Sequence, residues 1–179
     1  PSKLLFNEIL ETGEFPEQWS LSIITPIYKN GKRSDPNNYR GIYLIDSICK
    51  IFVNSWSTRL SSWCDTQTVL AENQAGFRIG YTTVDNCFTL MALIQKYLSK
   101  MRGRFYCIFV DFAKAFDSIQ HQKLWDAFAR NNINGNIMLV LKSMYSKLKS
   151  CVKVENGLTP FFKCSVGTRQ GCVGSPIVF

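Results

Sequence analysis

The sequence predicts an α+β domain in which antiparallel strands pack against helices. Three observations predict it. Segments with apolar residues at helical spacing are interspersed with short strand-like runs, and polar loops rich in Gly, Asn and Asp divide them without any internal repeat. With 179 residues, 46% of them apolar and 13% aromatic, the chain has the material for a packed core.

Taken in order, KLLFNEILETG sets Leu4, Leu5, Ile9 and Leu10 on a short amphipathic helix that Gly13 stops. LSIITPIYK reads as a strand, and KNGKRSDPNN after it is the clearest loop in the chain. Helical spacing returns from Ile48 to about Trp63 and again from about Thr83 to Leu98, with LAENQAGFRIGYTT and its turns at Gly76 and Gly80 between them. RFYCIFVDF then reads as a buried strand. Gln120 to Arg130 and IMLVLKSMYSKL read as helices, and CVKVEN with FFKCSV as a hairpin around Asn156 and Gly157. No linker divides the chain into two independent domains.

Charge narrows the choice of partner. The net charge of +8 is uneven: residues 1–24 carry −3, residues 25–117 carry +5 and residues 118–179 carry +6. A basic excess set apart from an acidic leader favours a polyanion, of which nucleic acid is the commonest, over a merely solvated basic surface. Seven cysteines and one histidine form no CxxC pair and no zinc spacing, so they read as reduced, mostly buried thiols of an intracellular protein. No apolar run is long enough to span a membrane. The chain opens on Pro1 and stops inside the apolar run SPIVF, so it is expected to be a piece of a longer protein.

The chemistry centres on FVDFAKAFDSI, where an apolar strand runs into Asp111. A carboxylate at the mouth of a buried strand has to be solvated, paired or bound to metal. Asp117, just ahead of a helix, is better suited to capping that helix or pairing with a cation. His121 reads as a residue of the helix surface.

FVDFAKAFDSIQHQKLW, NYRGIYLIDSICKI, ENQAGFRIGYTTVDN and GTRQGCVGSPIVF occur at separations that resemble the fingers and palm of a reverse transcriptase of the non-LTR retrotransposon (LINE-like) type. The resemblance runs from about Phe15 to Phe179. It implies a right-hand polymerase fragment, fingers plus the first part of the palm over residues 1–179, and RNA-directed DNA synthesis by a two-magnesium mechanism. The implied partners are an RNA template, a DNA primer and deoxynucleoside triphosphates, with no membrane. Nuclear and cytoplasmic residence is expected from the family.

By the same resemblance, Asp111 and the backbone carbonyl of Phe112 hold Mg²⁺, whose preference for hard oxygen ligands suits both. Phe116 lies under the sugar of the incoming nucleotide and excludes a 2′-hydroxyl, while the backbone N–H groups of Lys114 and Ala115 face the triphosphate. Arg40 and Lys29 are implied cations for that triphosphate, the arginine fork matching phosphate oxygens at two points. Gln170 and Gly171 lie along the templating base pair, and Ser175 with Pro176 opens the next helix. Arg78 and Gly80 are placed near the template, although Arg78 serves equally well as a structural ion-pair partner. Gly174 departs from the bulky aliphatic residue usual in this family, which bears on local packing.

The family's paired aspartates are expected beyond Phe179, leaving Asp111 as one of three expected carboxylates, so the chain alone is expected to be inactive. Two other readings share some of these features: a group II intron-like maturase reverse transcriptase, and a degenerate remnant that only binds nucleic acid.

Overall fold

The computed structural model describes residues 2–179 and divides into two compact units, Pro1–Arg59 with Lys114–Phe179, and Leu60–Ala113. The first unit is built on a five-stranded mixed sheet. Its strands are β1 (Leu21–Tyr28), β2 (Tyr39–Ile45), β3 (Lys149–Val154), β4 (Gly157–Leu158) and β5 (Phe162–Lys163). The order runs β2-β1-β3-β4, with β5 also paired to β3. β1 is antiparallel to β2 but parallel to β3. The expectation of purely antiparallel strands is therefore corrected: more than a hundred residues of chain separate β1 from β3, so no hairpin dictates their relative direction.

Helices α1 (Ser2–Thr12), α2 (Ser47–Thr66), α4 (His121–Arg130), α5 (Asn136–Ser146) and α6 (Ser175–Val178) complete this unit, α2 leading on into the second unit, whose own helix is α3 (Thr83–Leu98). Gly13, at φ +76°, ends α1 with its N–H on the Ile9 carbonyl at 3.0 Å. Asp46 caps α2 by accepting the N–H groups of Ile48 and Cys49 at 2.8 and 3.0 Å. Asp85 closes back on the Thr82 N–H at 2.7 Å at the start of α3.

The core of the first unit is aromatic where α1, α2 and the turn before β1 meet. Phe6, Phe15 and Trp19 surround Phe52, with ring centroids 5.3 to 6.1 Å from it. Val140, Leu141 and Met144 of α5 and Cys151 of β3 are also buried. Hydroxyls of Ser22 and Ser150 bond at 2.7 Å across the parallel strands, which satisfies both inside the core.

β2 is a strand that the sequence reading passed over. Tyr39, Gly41, Tyr43 and Ile45 lie on one face, and Arg40, Ile42 and Leu44 on the other. Conversely, the strand expected over RFYCIFVDF does not form. Residues 103–112 have no regular secondary structure, and Tyr106, Ile108, Phe109 and Val110 are each more than 70% exposed. Strand formation requires a neighbouring ladder for the backbone N–H and C=O groups, and no strand among the described residues pairs with this segment. All seven cysteines are free, with Cys49, Cys64, Cys151 and Cys172 buried.

Candidate functional site

The expected site residues fall in both units. In the first, the β1–β2 register sets Arg40 opposite Ile27, and the next bond outward runs from the Lys29 N–H to the Asn38 carbonyl at 2.8 Å. Period-two alternation therefore brings Lys29 and Arg40 to one face of the ribbon as diagonal neighbours. The other face lines an open groove of 880 Å³ with Pro26, Arg33, Tyr39, Tyr43, Val152 and Lys153 along its walls.

Lys114, Ala115, Phe116 and Asp117 form a tight turn into a short 3-10 segment, entered by Lys114 at φ +52°. The Lys114 ammonium donates to Asn37 Oδ1 at 3.2 Å, which ties this turn to the loop between β1 and β2. Phe116 is half-buried, its ring 4.5 Å from that of Phe179 and its carbonyl accepting the Thr168 N–H at 2.7 Å. Asp117 caps no helix, since Gln120 precedes α4; it accepts instead from the side-chain amide of Gln170.

Gly171 has φ +78°, and a Cβ there would come within 2.6 Å of the Tyr43 carbonyl, so backbone meets backbone at this point. Burial and then the nearby Asp117 carboxylate push the Tyr43 phenol pKa upward. Two stretches expected to act together, AKAFD and RQG, thus meet beside β2. Tyr43 was not singled out from the sequence, because YRGIYLI carries apolar residues on both faces and no alternation marks it.

Gly174 is buried against α2. A Cβ would lie 2.8 Å from Val53 and 2.9 Å from Trp56, so the indole fills the volume that a larger side chain would take. His121 is not simply on the surface. Its Nε2 is 2.9 Å from the Gly167 carbonyl, and its ring stands edge-on to Tyr145.

In the second unit, Asp111 and Phe112 are both exposed. They offer a carboxylate and a carbonyl as hard oxygen donors, but no group of three or more His, Cys, Asp or Glu among the described residues converges to hold a metal ion. The Arg78 guanidinium pairs with Asp65 at 3.0 Å, donates to the carbonyls of Ala71 and Gln74, and lies 4.4 Å over the Tyr81 ring. That is the structural ion-pair arrangement. Gly80, at φ +85°, has open space where a Cβ would be.

Comparison with known proteins decides the family. Residues 27–179 match the model of the reverse transcriptase (RNA-dependent DNA polymerase) family. This chain belongs to the reverse transcriptase family. Among curated relatives it is 31% identical to the probable RNA-directed DNA polymerase from transposon X-element of Drosophila melanogaster, over 98% of this chain and 19% of that protein. The RNA-directed DNA polymerase from mobile element jockey of the same species is 28% identical, with the same coverage of each chain. The Pol polyprotein from the type-1 retrotransposable element R2 of Nasonia vitripennis is 26% identical, over 99% of this chain and 17% of that protein. The relationship is to the reverse transcriptases of non-LTR retrotransposons, and this chain spans about a fifth of the length of the first relatives it matches. Among the described residues, no helix is long and apolar enough to cross a membrane.

Proposed function

We propose that residues 1–179 form the fingers and the first part of the palm of an RNA-directed DNA polymerase, which adds deoxynucleotides to a primer 3′-hydroxyl. The observation that carries this reading is the meeting of AKAFD with TRQG beside β2, through the Gln170–Asp117 and Thr168–Phe116 bonds. Both hold polar and aromatic groups at a partly open surface, where a nucleotide can reach them.

In this reading Phe116 is the floor under the sugar, Lys114 and Ala115 turn their backbone N–H groups to the triphosphate, and Gln170 with Gly171 borders the templating pair. Lys29 and Arg40 share a ribbon face, so one polyphosphate can engage both cations. Gly80 and the loop held by Arg78 follow the template. Asp111 and the Phe112 carbonyl would hold magnesium together with waters, substrate phosphates and carboxylates from the rest of the protein. When bound, two such ions activate the primer hydroxyl and stabilise the leaving pyrophosphate. The protein's own residues supply placement and charge, which is where phosphoryl-transfer catalysis comes from.

The partners proposed are RNA template, DNA primer and deoxynucleoside triphosphates, within the nucleus and cytoplasm. The test is primer extension by this chain beside the full-length protein, with filter binding at two salt concentrations. The chain alone should bind nucleic acid with a log–log salt slope of roughly −0.7 to −0.9 per phosphate contacted and make no DNA. The full-length protein should extend the primer. Salt-insensitive binding, or extension by the short chain, would overturn the corresponding half of the proposal.

A further inference from the structure

Arg169 is a buried cation without a buried anion. It is 4% exposed, and none of the ion pairs among the described residues includes it. Nη2 donates to the Trp19 carbonyl and, at 3.5 Å, to that of Leu21, while Nη1 donates to Cys49 Sγ at 3.1 Å. Nε is buried with no hydrogen-bond partner. A guanidinium keeps its charge at any working pH, and an apolar side chain of similar volume would fill the space without the desolvation cost. The charge calls for an explanation other than packing.

What the fork joins supplies one. Trp19 and Leu21 are the entry to β1, Cys49 lies in the first turn of α2, and the backbone of Arg169 leads directly into Gln170 and Gly171. That backbone is itself held on both sides. The N–H of the preceding Thr168 donates to the Phe116 carbonyl, and the Arg169 carbonyl accepts from Ser175 Oγ and from the Cys172 N–H. Thr168 and Cys172 are buried as well, and Gly171 rests against Tyr43. Gln170 is the one side chain from 168 to 172 that is not buried.

We propose that Arg169 is a positioning residue for nucleotide selection: its fork ties the start of β1 and of α2 to the 168–172 turn, and so fixes where Gln170 stands. The inference rests on the polymerase reading above, in which Gln170 borders the templating pair. Methionine could fill the same space but could not hold two carbonyls. Lysine keeps the charge and one set of donors without the fork.

The experiment uses the full-length protein with R169M, R169K, Q170M and the R169M/Q170M pair. It measures single-nucleotide extension with matched and mismatched deoxynucleotides, primer–template affinity, and hydrogen exchange in peptides covering 168–175. R169M should lower kcat/KM for the matched nucleotide roughly ten- to a hundredfold, as misplacement by about an ångström does, mainly through KM. Discrimination against mismatches should fall while primer–template affinity holds, and exchange at 168–175 should quicken. R169K should recover part of the loss, and R169M should add little in the Q170M background. Discrimination and KM that stay unchanged in R169M, or effects that multiply independently in the pair, would overturn the inference. A wild-type protein that makes no DNA would overturn the polymerase reading instead; exchange would then still decide the anchor, quickening supporting it and no change refuting it.

Discussion

The side-chain amide of Gln170 donates to the Asp117 carboxylate, across 53 residues of sequence. An ionised carboxylate only accepts, so this contact fixes which end of the amide turns away: Nε2 faces Asp117, and Oε1 stays open for another donor. Asp117→Asn removes that constraint by allowing either amide to flip. The expected outcome in the full-length protein is a loss of about tenfold in kcat/KM for the matched nucleotide, in the range for losing a hydrogen bond to a charged group. Single-nucleotide kinetics check it, and unchanged kinetics would leave the bond a structural one.

Asp111→Asn keeps the size of the side chain and removes its charge. Polymerisation by the full-length protein should fall by several orders of magnitude, and primer–template affinity should change little. Asp111 is exposed in its unit, so the thermal midpoint should also stay within a few degrees. Near-normal extension would remove Asp111 from the proposed metal set.

Phe116→Val opens the space proposed for a 2′-hydroxyl. Ribonucleotide incorporation should rise relative to deoxynucleotide incorporation, read as the ratio of the two kcat/KM values. The ring also meets Phe179, so some stability is expected to be lost, and melting separates that loss from altered selectivity. An unchanged ratio would make the ring an ordinary packing group.

At Gly174 the fold makes a prediction about packing alone. Gly174→Val drives a branched side chain into Val53 and Trp56, and overpacking of this kind costs about 1–3 kcal/mol. Thermal unfolding should show the drop, and Trp56→Leu should recover part of it in the double variant by vacating the volume. Additive losses would mean that the two residues do not share that space.

Where apolar spacing and a stop signal coincided, the sequence was legible. Thr83–Leu98 has the expected bounds, and α1 ends at Gly13 as its left-handed conformation requires. β2 was obscured because YRGIYLI is nearly all apolar, and only its pairing with β1 separates the two faces. The segment before Asp111 misled for the opposite reason: its β-forming residues are real, but a strand is a property of a pair. The site was legible as motifs and illegible as contacts. Nothing local to Gln170 names Asp117 as its partner, and nothing local to Arg169 announces a buried ion held by carbonyls at the start of β1.

The uncovered run from Tyr106 to Phe112 has a practical consequence for handling the chain. Aromatic and β-branched residues dominate it, it contains no proline, and its nearest charges are Arg104 at one end and Asp111 at the other. Such a stretch, with its backbone unpaired and its side chains in water, is a template for intermolecular cross-β pairing. The chain produced alone should therefore self-associate as its concentration rises. Replacing Ile108 with lysine, a charge at the centre of the run, should keep it monodisperse in light scattering.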